Sequence, residues 1–150
     1  MNAIDVLKKD HQEVHQLFLE YMSMGEGDFA RREDLFQRID KALLIHTDAE
    51  EQIFYPALEN HKPALIQEAM SEHQEVKQLL AELLDLEIDD QAFENHMTML
   101  QHKVEAHVQD EEGTGGLMEL ARQKLSAEDL DEMGRRIEQL KKDSEEEMAA

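Results

Sequence analysis

The nine residues DHQEVHQLF (Asp10–Phe18) return 62 positions later as EHQEVKQLL (Glu72–Leu80), with six identities. The echo reaches beyond this stretch. The series Ile4, Leu7, His11, Val14, Phe18, Tyr21 is matched at the same offset by Ile66, Ala69, His73, Val76, Leu80, Leu83. Steps of three and four residues place each series on one face of an α-helix. A second pair of segments aligns at an offset of 61, with His46 on His107 and Glu50 on Glu111. A chain that states a helical hairpin twice, each copy with one apolar seam, can bury both seams by pairing the copies about a pseudo-two-fold axis. The product is an all-α four-helix bundle.

The punctuation of the chain agrees. A first helix is predicted over Ala3–Met22, with Asn2 as its N-cap. The turn MGEGD (Met24–Asp28) follows, and Asp28 can cap a second helix over Phe29–Tyr55, which Pro56 should kink or end. After the loop at Glu59–Pro63 come a third helix, Ala64–Leu86, a turn at Glu87–Asp90 and a fourth helix, Gln91–Glu112, stopped by GTGG (Gly113–Gly116). A short segment runs to Leu125. Ser126 and Asp129 then form a capping-box pattern ahead of a last helix, Ala127–Glu146, whose charged tail is expected to fray. Residues 1–125 thus make one bundle of two hairpins, about 1–60 and 63–125. Residues 126–150 add a C-terminal helix and tail outside the repeat.

The repeat singles out six polar residues on the inward faces: His11, His46, Glu50, His73, His107 and Glu111. Each His–Glu pair is four apart and so shares a helix face. Burying such groups unpaired costs several kcal/mol each, and a cation would offset that cost. Imidazole with carboxylate suits iron, manganese or zinc better than calcium or magnesium. Two six-coordinate ions need about twelve ligand positions. Two bridging glutamates, four histidines and one bridging oxo or hydroxo group fill all but two of them. A lone zinc, wanting about four ligands, would strand donors.

In these residues the chain resembles the hemerythrin-like, or HHE cation-binding, family. DHQEVHQLF, HTDAEEQIFYP (His46–Pro56), EHQEVKQLL and HVQDEE (His107–Glu112) match its pattern in order, across about residues 1–125. The resemblance implies an up-down-up-down bundle holding two iron ions with an oxygen bridge. The implied activities are binding or sensing dioxygen, or handling peroxide or nitric oxide. Carried over by motif, the metal ligands are His11, His46, Glu50, His73, His107 and Glu111. Oxygen-carrying members place a second histidine on the third helix where this chain has Lys77, and tend to have aspartate where it has Glu111. The repeat puts His15 opposite Lys77, so His15 is a candidate additional ligand.

Other residues read more plainly. Glu51 and Glu112 lie about 100° from Glu50 and Glu111 and are expected on the solvated surface. Asp10 and Glu72, each preceding a histidine, are either acceptors for the ligand imidazoles or surface charges. Tyr21 and Tyr55 could hydrogen-bond near the site but are expected mainly to pack. His96 reads as core or boundary packing, His102 as solvent-facing, and His61 as a loop residue.

Composition narrows the partners. A net charge of −21, from 36 acidic and 15 basic residues, repels phosphate backbones, so nucleic acid and anionic membrane are excluded as expected partners. The absence of cysteine closes thiolate and disulfide chemistry. No apolar run approaches ~18 residues and the N-terminus lacks a leader's pattern, so a cytoplasmic protein is expected.

The leading expectation is a protein that binds or senses dioxygen or a related small oxidant at two iron ions, with manganese or zinc as substitutes, and with a small diatomic molecule or peroxide as its ligand. A binding protein is favoured over a catalyst. An enzyme consuming peroxide or nitric oxide on the same site is the first alternative. A non-catalytic helical module with structural histidines is the second, its last helix docking a partner or a second copy. A sensor role would require a signalling partner outside this chain.

Overall fold

The computed structural model describes residues 1–25 and 27–149; Glu26, in the expected turn, and Ala150, at the end of the tail, lie outside the described residues. Every element among the described residues is helical. They are α1 (Ala3–Met22), α2 (Phe29–Ala49), a π-helical turn (Glu50–Phe54) running into α3 (Tyr55–Leu58), α4 (Pro63–Leu84), α5 (Gln91–Glu112), α6 (Leu117–Lys124) and α7 (Ala127–Ala149). The α1/α2 and α4/α5 hairpins pack together through α1 against α5 and α2 against α4, giving the bundle expected from the repeat. The added helix α7 lies across α1 and α2.

Local chemistry explains the helix ends. Asn2 accepts from the Asp5 N–H at 2.9 Å, and the Asp5 carboxylate accepts from the Asn2 N–H at 3.3 Å, so two otherwise unpaired donors are satisfied at once. Ser126 Oγ accepts from the Asp129 N–H at 3.0 Å. Asp28 departs from expectation: its side chain makes no capping hydrogen bond. The tail departs too, remaining helical to Ala149.

Pro56 neither ends nor sharply breaks the second rod. It lacks an N–H and its ring crowds the carbonyl one turn back. The chain widens ahead of it, and the Tyr55 N–H donates to the Glu50 carbonyl, five residues back. A π-turn takes up about one extra residue. Tyr55 is thereby carried round to the side of Glu50, instead of the roughly 140° away that an α-helix would set.

Two apolar clusters fill the bundle. One, around Ile4, Leu7, Phe54, Leu58, Met118 and Ile137, joins the start of α1 to α3, α6 and α7. The other, around Phe18, Phe36, Ile39, Leu80, Met97 and Leu100, fills the opposite end. At that far end the Tyr21 hydroxyl donates to Glu94 Oε1 at 2.7 Å, and Arg32 pairs with the same carboxylate at 3.2 Å. Between the clusters lies a layer of buried polar side chains.

Candidate metal centre

The polar layer contains His11 from α1, His46 from α2, Glu50 from the π-turn, His73 from α4, and His107 and Glu111 from α5, all buried. These are the six residues the repeat singles out, and they converge. The ligating atoms of His11, His46, Glu50 and Glu111 lie within 4.8 Å of one another, as do those of Glu50, His73 and His107. Glu50 belongs to both groups. Its Oε1 is 3.0 Å from His46 Nε2 and 3.1 Å from His73 Nε2. Glu111 also spans the layer, with Oε2 3.1 Å from His107 Nε2 and Oε1 3.5 Å from His11 Nε2.

Each imidazole turns Nδ1 outward onto its own carboxylate. His11 donates to Glu112 at 2.6 Å, His46 to Asp10 at 2.9 Å, His73 to Glu51 at 2.7 Å and His107 to Glu72 at 2.9 Å. An ionised carboxylate can only accept, so Nδ1 carries a proton and Nε2 is turned inward, where it can hold a metal ion or a second proton. The arrangement obeys the repeat: Asp10 and Glu72 serve the second and fourth rods, and Glu51 and Glu112 serve the third and first.

Glu51 and Glu112 are therefore not the solvated surface charges expected from their helical angle. Imidazoles from neighbouring rods present Nδ1 toward the flank of the helix, which is where a residue about 100° from the inward face can reach. Lys77 extends the third-rod contact, its ammonium 3.0 Å from Glu51 Oε2.

Two observations fit this donor set to metal ions. The inward nitrogens come in facing pairs, His11 Nε2 to His46 Nε2 at 3.1 Å and His73 Nε2 to His107 Nε2 at 3.2 Å. Two lone pairs at that distance repel unless a proton or a metal ion lies between them. Nitrogen donors about 2.1 Å from one ion and at right angles to each other stand ~3.0 Å apart. In addition, Glu50 Oε2 and Glu111 Oε1 are buried without any hydrogen-bond partner, a costly condition for a carboxylate that is not ligating.

Protons and metal ions compete for such donors. Burial alone would favour neutral imidazole at His46, but the Glu50 and Asp10 carboxylates outweigh it and raise the pKa to about 10. At His107 burial again opposes charge, and Glu111 and Glu50 raise the pKa to about 12. Burial would push the Glu50 carboxyl up, yet His46, Glu111 and His107 together hold it well below the ordinary range.

Tyr55, expected mainly to pack, reaches the polar layer instead. Its hydroxyl donates to Glu111 Oε2 at 2.7 Å and lies 3.1 Å from His73 Nε2 and 3.3 Å from His107 Nε2. The phenol thus offers an oxygen beside the second donor group. Burial, followed by the Glu50 and Glu111 charges, pushes its pKa up.

The repeat-related position is Gly116, and there a Cβ would stand 2.1 Å from the Asp110 carbonyl oxygen. One half of the layer has a phenol where the other has a backbone turn. His15, by contrast, stays outside. It is exposed on α1, with Nδ1 3.8 Å from Glu105 Oε1. His96 bonds Ala92 and Glu82 at the bundle boundary, and His61 and His102 are exposed.

The surroundings limit what can reach the donors. Val14, Leu43, Thr47, Val76 and Val104 wall a space of about 20 Å³ against the imidazoles, roughly enough for one water-sized molecule. A wider opening of about 280 Å³ reaches His107 and Glu111 between α4 and the Gly113–Gly116 turn.

A helical bundle with paired His–Glu units converging on one buried layer is the architecture of a cation-binding protein. Over residues 2–114 the chain matches the hemerythrin HHE cation binding domain, and it belongs to that family. A hemerythrin HHE cation binding domain-containing protein from Mycobacterium kansasii, known from a crystal structure, is similar over 95% of this chain and 89% of its own, with a TM-score of 0.78 and 26% identity. A protein of Nostoc sp. named DNA nickase is 31% identical over 133 residues, or 88% of this chain. The chain spans only about 37% of that relative's length. No helix among the described residues is long and apolar enough to cross a membrane.

Proposed function

We propose that the protein holds two iron ions in the polar layer and uses them to bind or sense dioxygen or a related small oxidant. The observation that carries this reading is the position of Glu50. It is common to both donor groups, so one carboxylate can bridge two ions. His11 and His46 would hold one ion, His73 and His107 the other, and Glu111 would bridge alongside Glu50. The iron pair, when bound, supplies electrons to the oxidant. The chain's own residues orient and shelter the site. Asp10, Glu51, Glu72 and Glu112 fix the imidazoles with Nε2 inward, and Val14, Leu43, Val76 and Val104 exclude bulk water from one side. The space of about 20 Å³ supports a ligand of only a few atoms.

A peroxide- or nitric-oxide-consuming activity on the same centre is the second reading. Tyr55 favours it, because a phenol O–H inside the donor layer can donate a hydrogen bond to a small polar ligand there. The name of the Nostoc relative lends no weight to a nuclease reading. A net charge of −21 disfavours DNA, and nearly two thirds of that relative has no counterpart here.

The test is metal analysis of the protein reconstituted with ferrous iron, with spectra before and after exposure to oxygen. About two irons per chain and a near-ultraviolet charge-transfer band after oxygen are expected. Fewer than one iron per chain would overturn both readings. Peroxide consumption by the loaded protein at many equivalents per iron would favour the second reading over the first.

A further inference from the structure

The helix α7 lies outside the repeat and outside residues 2–114, yet it reaches the metal centre through one side chain. The Lys141 ammonium donates to Asp10 Oδ1, while Asp10 Oδ2 accepts from His46 Nδ1 at 2.9 Å. Both oxygens of one carboxylate are thereby committed, one to α7 and one to a candidate ligand.

The repeat supplies an internal control. Glu72 does for His107 what Asp10 does for His46, accepting from Nδ1 at 2.9 Å. The Glu72 side chain is 26% exposed, whereas that of Asp10 is 6% exposed. Water can solvate the second oxygen of Glu72 and cannot do the same for Asp10. A buried carboxylate without a counter-charge is strongly destabilising. Lys141 provides that counter-charge where solvent does not.

The packing of α7 brings the lysine there. Leu130, Met133 and Ile137 are buried in the cluster that contains Ala3, Ile4 and Leu7. At Gly134 an added Cβ would stand 2.3 Å from the Met1 carbonyl oxygen, so only glycine lets α7 lie this close to the start of α1. Lys141 is seven residues on, two helical turns along nearly the same face.

We propose that Lys141 is a positioning residue of the metal centre: by anchoring Asp10 it holds the His46 ring with Nε2 turned to the donor layer, so that the C-terminal helix governs how firmly this half retains its ion. This role presupposes the metal-centre reading above. It predicts an asymmetric defect. Loss of Lys141 should loosen the ion held by His46 and leave the one held by His73 and His107 largely in place.

The experiment uses the full chain loaded anaerobically with ferrous iron and then mixed with excess chromogenic chelator. In K141Q one of the two ions should leave about tenfold faster or more, the scale on which lost support of a ligand histidine weakens metal binding. K141R, which restores a cation, should return the rate to within about threefold of wild type. K142Q, at an exposed neighbour, should match wild type. In iron-free protein, ¹⁵N spectra of the imidazoles should show the His46 signals shifted in K141Q and those of His107 unchanged.

Should K141Q not fold, the double variant D10N/K141Q, which removes both charges, should still release one ion faster. Release of both ions at the wild-type rate, with His46 unshifted, would overturn the role of Lys141. If wild-type protein takes up no iron, the metal-centre reading fails by itself. The His46 and His107 comparison then still decides whether Lys141 fixes the ring.

Discussion

Glu50→Gln is the substitution that bears most directly on the shared-carboxylate geometry. Glu50 is fully buried, and Oε1 lies within 3.1 Å of imidazole nitrogens on two different rods. Glutamine keeps the volume, and its amide N–H can donate to an inward Nε2, so the bundle should still form. The change removes the one carboxylate common to both donor groups, which leaves Glu111 alone to span from His11 and His46 on one side to His73 and His107, with the Tyr55 phenol, on the other. Losing a directly binding carboxylate should weaken each ion by at least the roughly hundredfold upper range seen for lost supporting contacts. At saturating metal that is about 2.7 kcal/mol per ion, or about 5 kcal/mol for the pair. A chain of this length shifts its melting temperature by roughly 2–4 °C per kcal/mol. The stabilisation gained on adding ferrous iron should therefore shrink by roughly 10–20 °C. Paired melts with and without metal, together with the iron count, measure this directly. A variant that keeps two ions and the full metal-induced shift would refute the bridging role of Glu50.

Three further outcomes follow from the packing and electrostatics. Gly116→Ala places a Cβ 2.1 Å from the Asp110 carbonyl oxygen and 2.7 Å from that of Glu111. It should cost about 1–3 kcal/mol and lower iron content, whereas an unchanged melt and iron count would show that the turn can yield freely. Asn2→Ala should cost about 1 kcal/mol through the lost capping box, while Asp28→Ala, which removes no capping bond, should be nearly neutral. Urea titration of the two variants separates them, and equal losses would contradict the difference in capping. The Tyr21 phenol, buried against Glu94, has its pKa raised above the ordinary value. Its protonated form is favoured in the folded chain, so its contribution is complete below about pH 10 and declines as pH climbs beyond that. Tyr21→Phe should flatten the alkaline fall in stability, and an unaltered slope between about pH 10 and 11 would count against it.

The symmetric part of the molecule was legible because symmetry is written into the chain twice. The 62- and 61-residue offsets placed four rods, set their inward faces and brought out six donors that the fold does bring together. Capping was legible at Asn2, which forms its capping box, and misled at Asp28, whose side chain makes no capping bond. Helical angle alone could not assign Glu51 and Glu112. It describes a direction from one axis, whereas their partners, His73 and His11, arrive from other rods. His15 failed as a candidate for the complementary reason: repeat register puts it opposite Lys77, but both positions lie on the flanks of their helices, and the His15 ring remains in solvent.

The reach of Tyr55 and of α7 into the polar layer was hidden because both depart from the repeat. Sequence periodicity assumes about 3.6 residues per turn, and on that scale Tyr55 turns away from Glu50. The π-turn changes the local count, with Pro56 as its only advance signal: a proline within an otherwise continuous helical pattern forces either an end or a change of pitch. Gly116 answers Tyr55 in the second copy, and Lys141 buttresses Asp10 while Glu72 is left to water. The two halves therefore share a skeleton of imidazoles with their Nδ1 carboxylates but differ in what surrounds it. One has the buried Asp10 carboxylate held by a lysine from α7, and the other has a phenol and, at the equivalent of Asp10, the more exposed Glu72. A pair of ions bound here would occupy unequal environments, one beside the Asp10–Lys141 contact and the other beside Tyr55. The repeat accounts for the two matching donor groups, and its violations account for the differences between them.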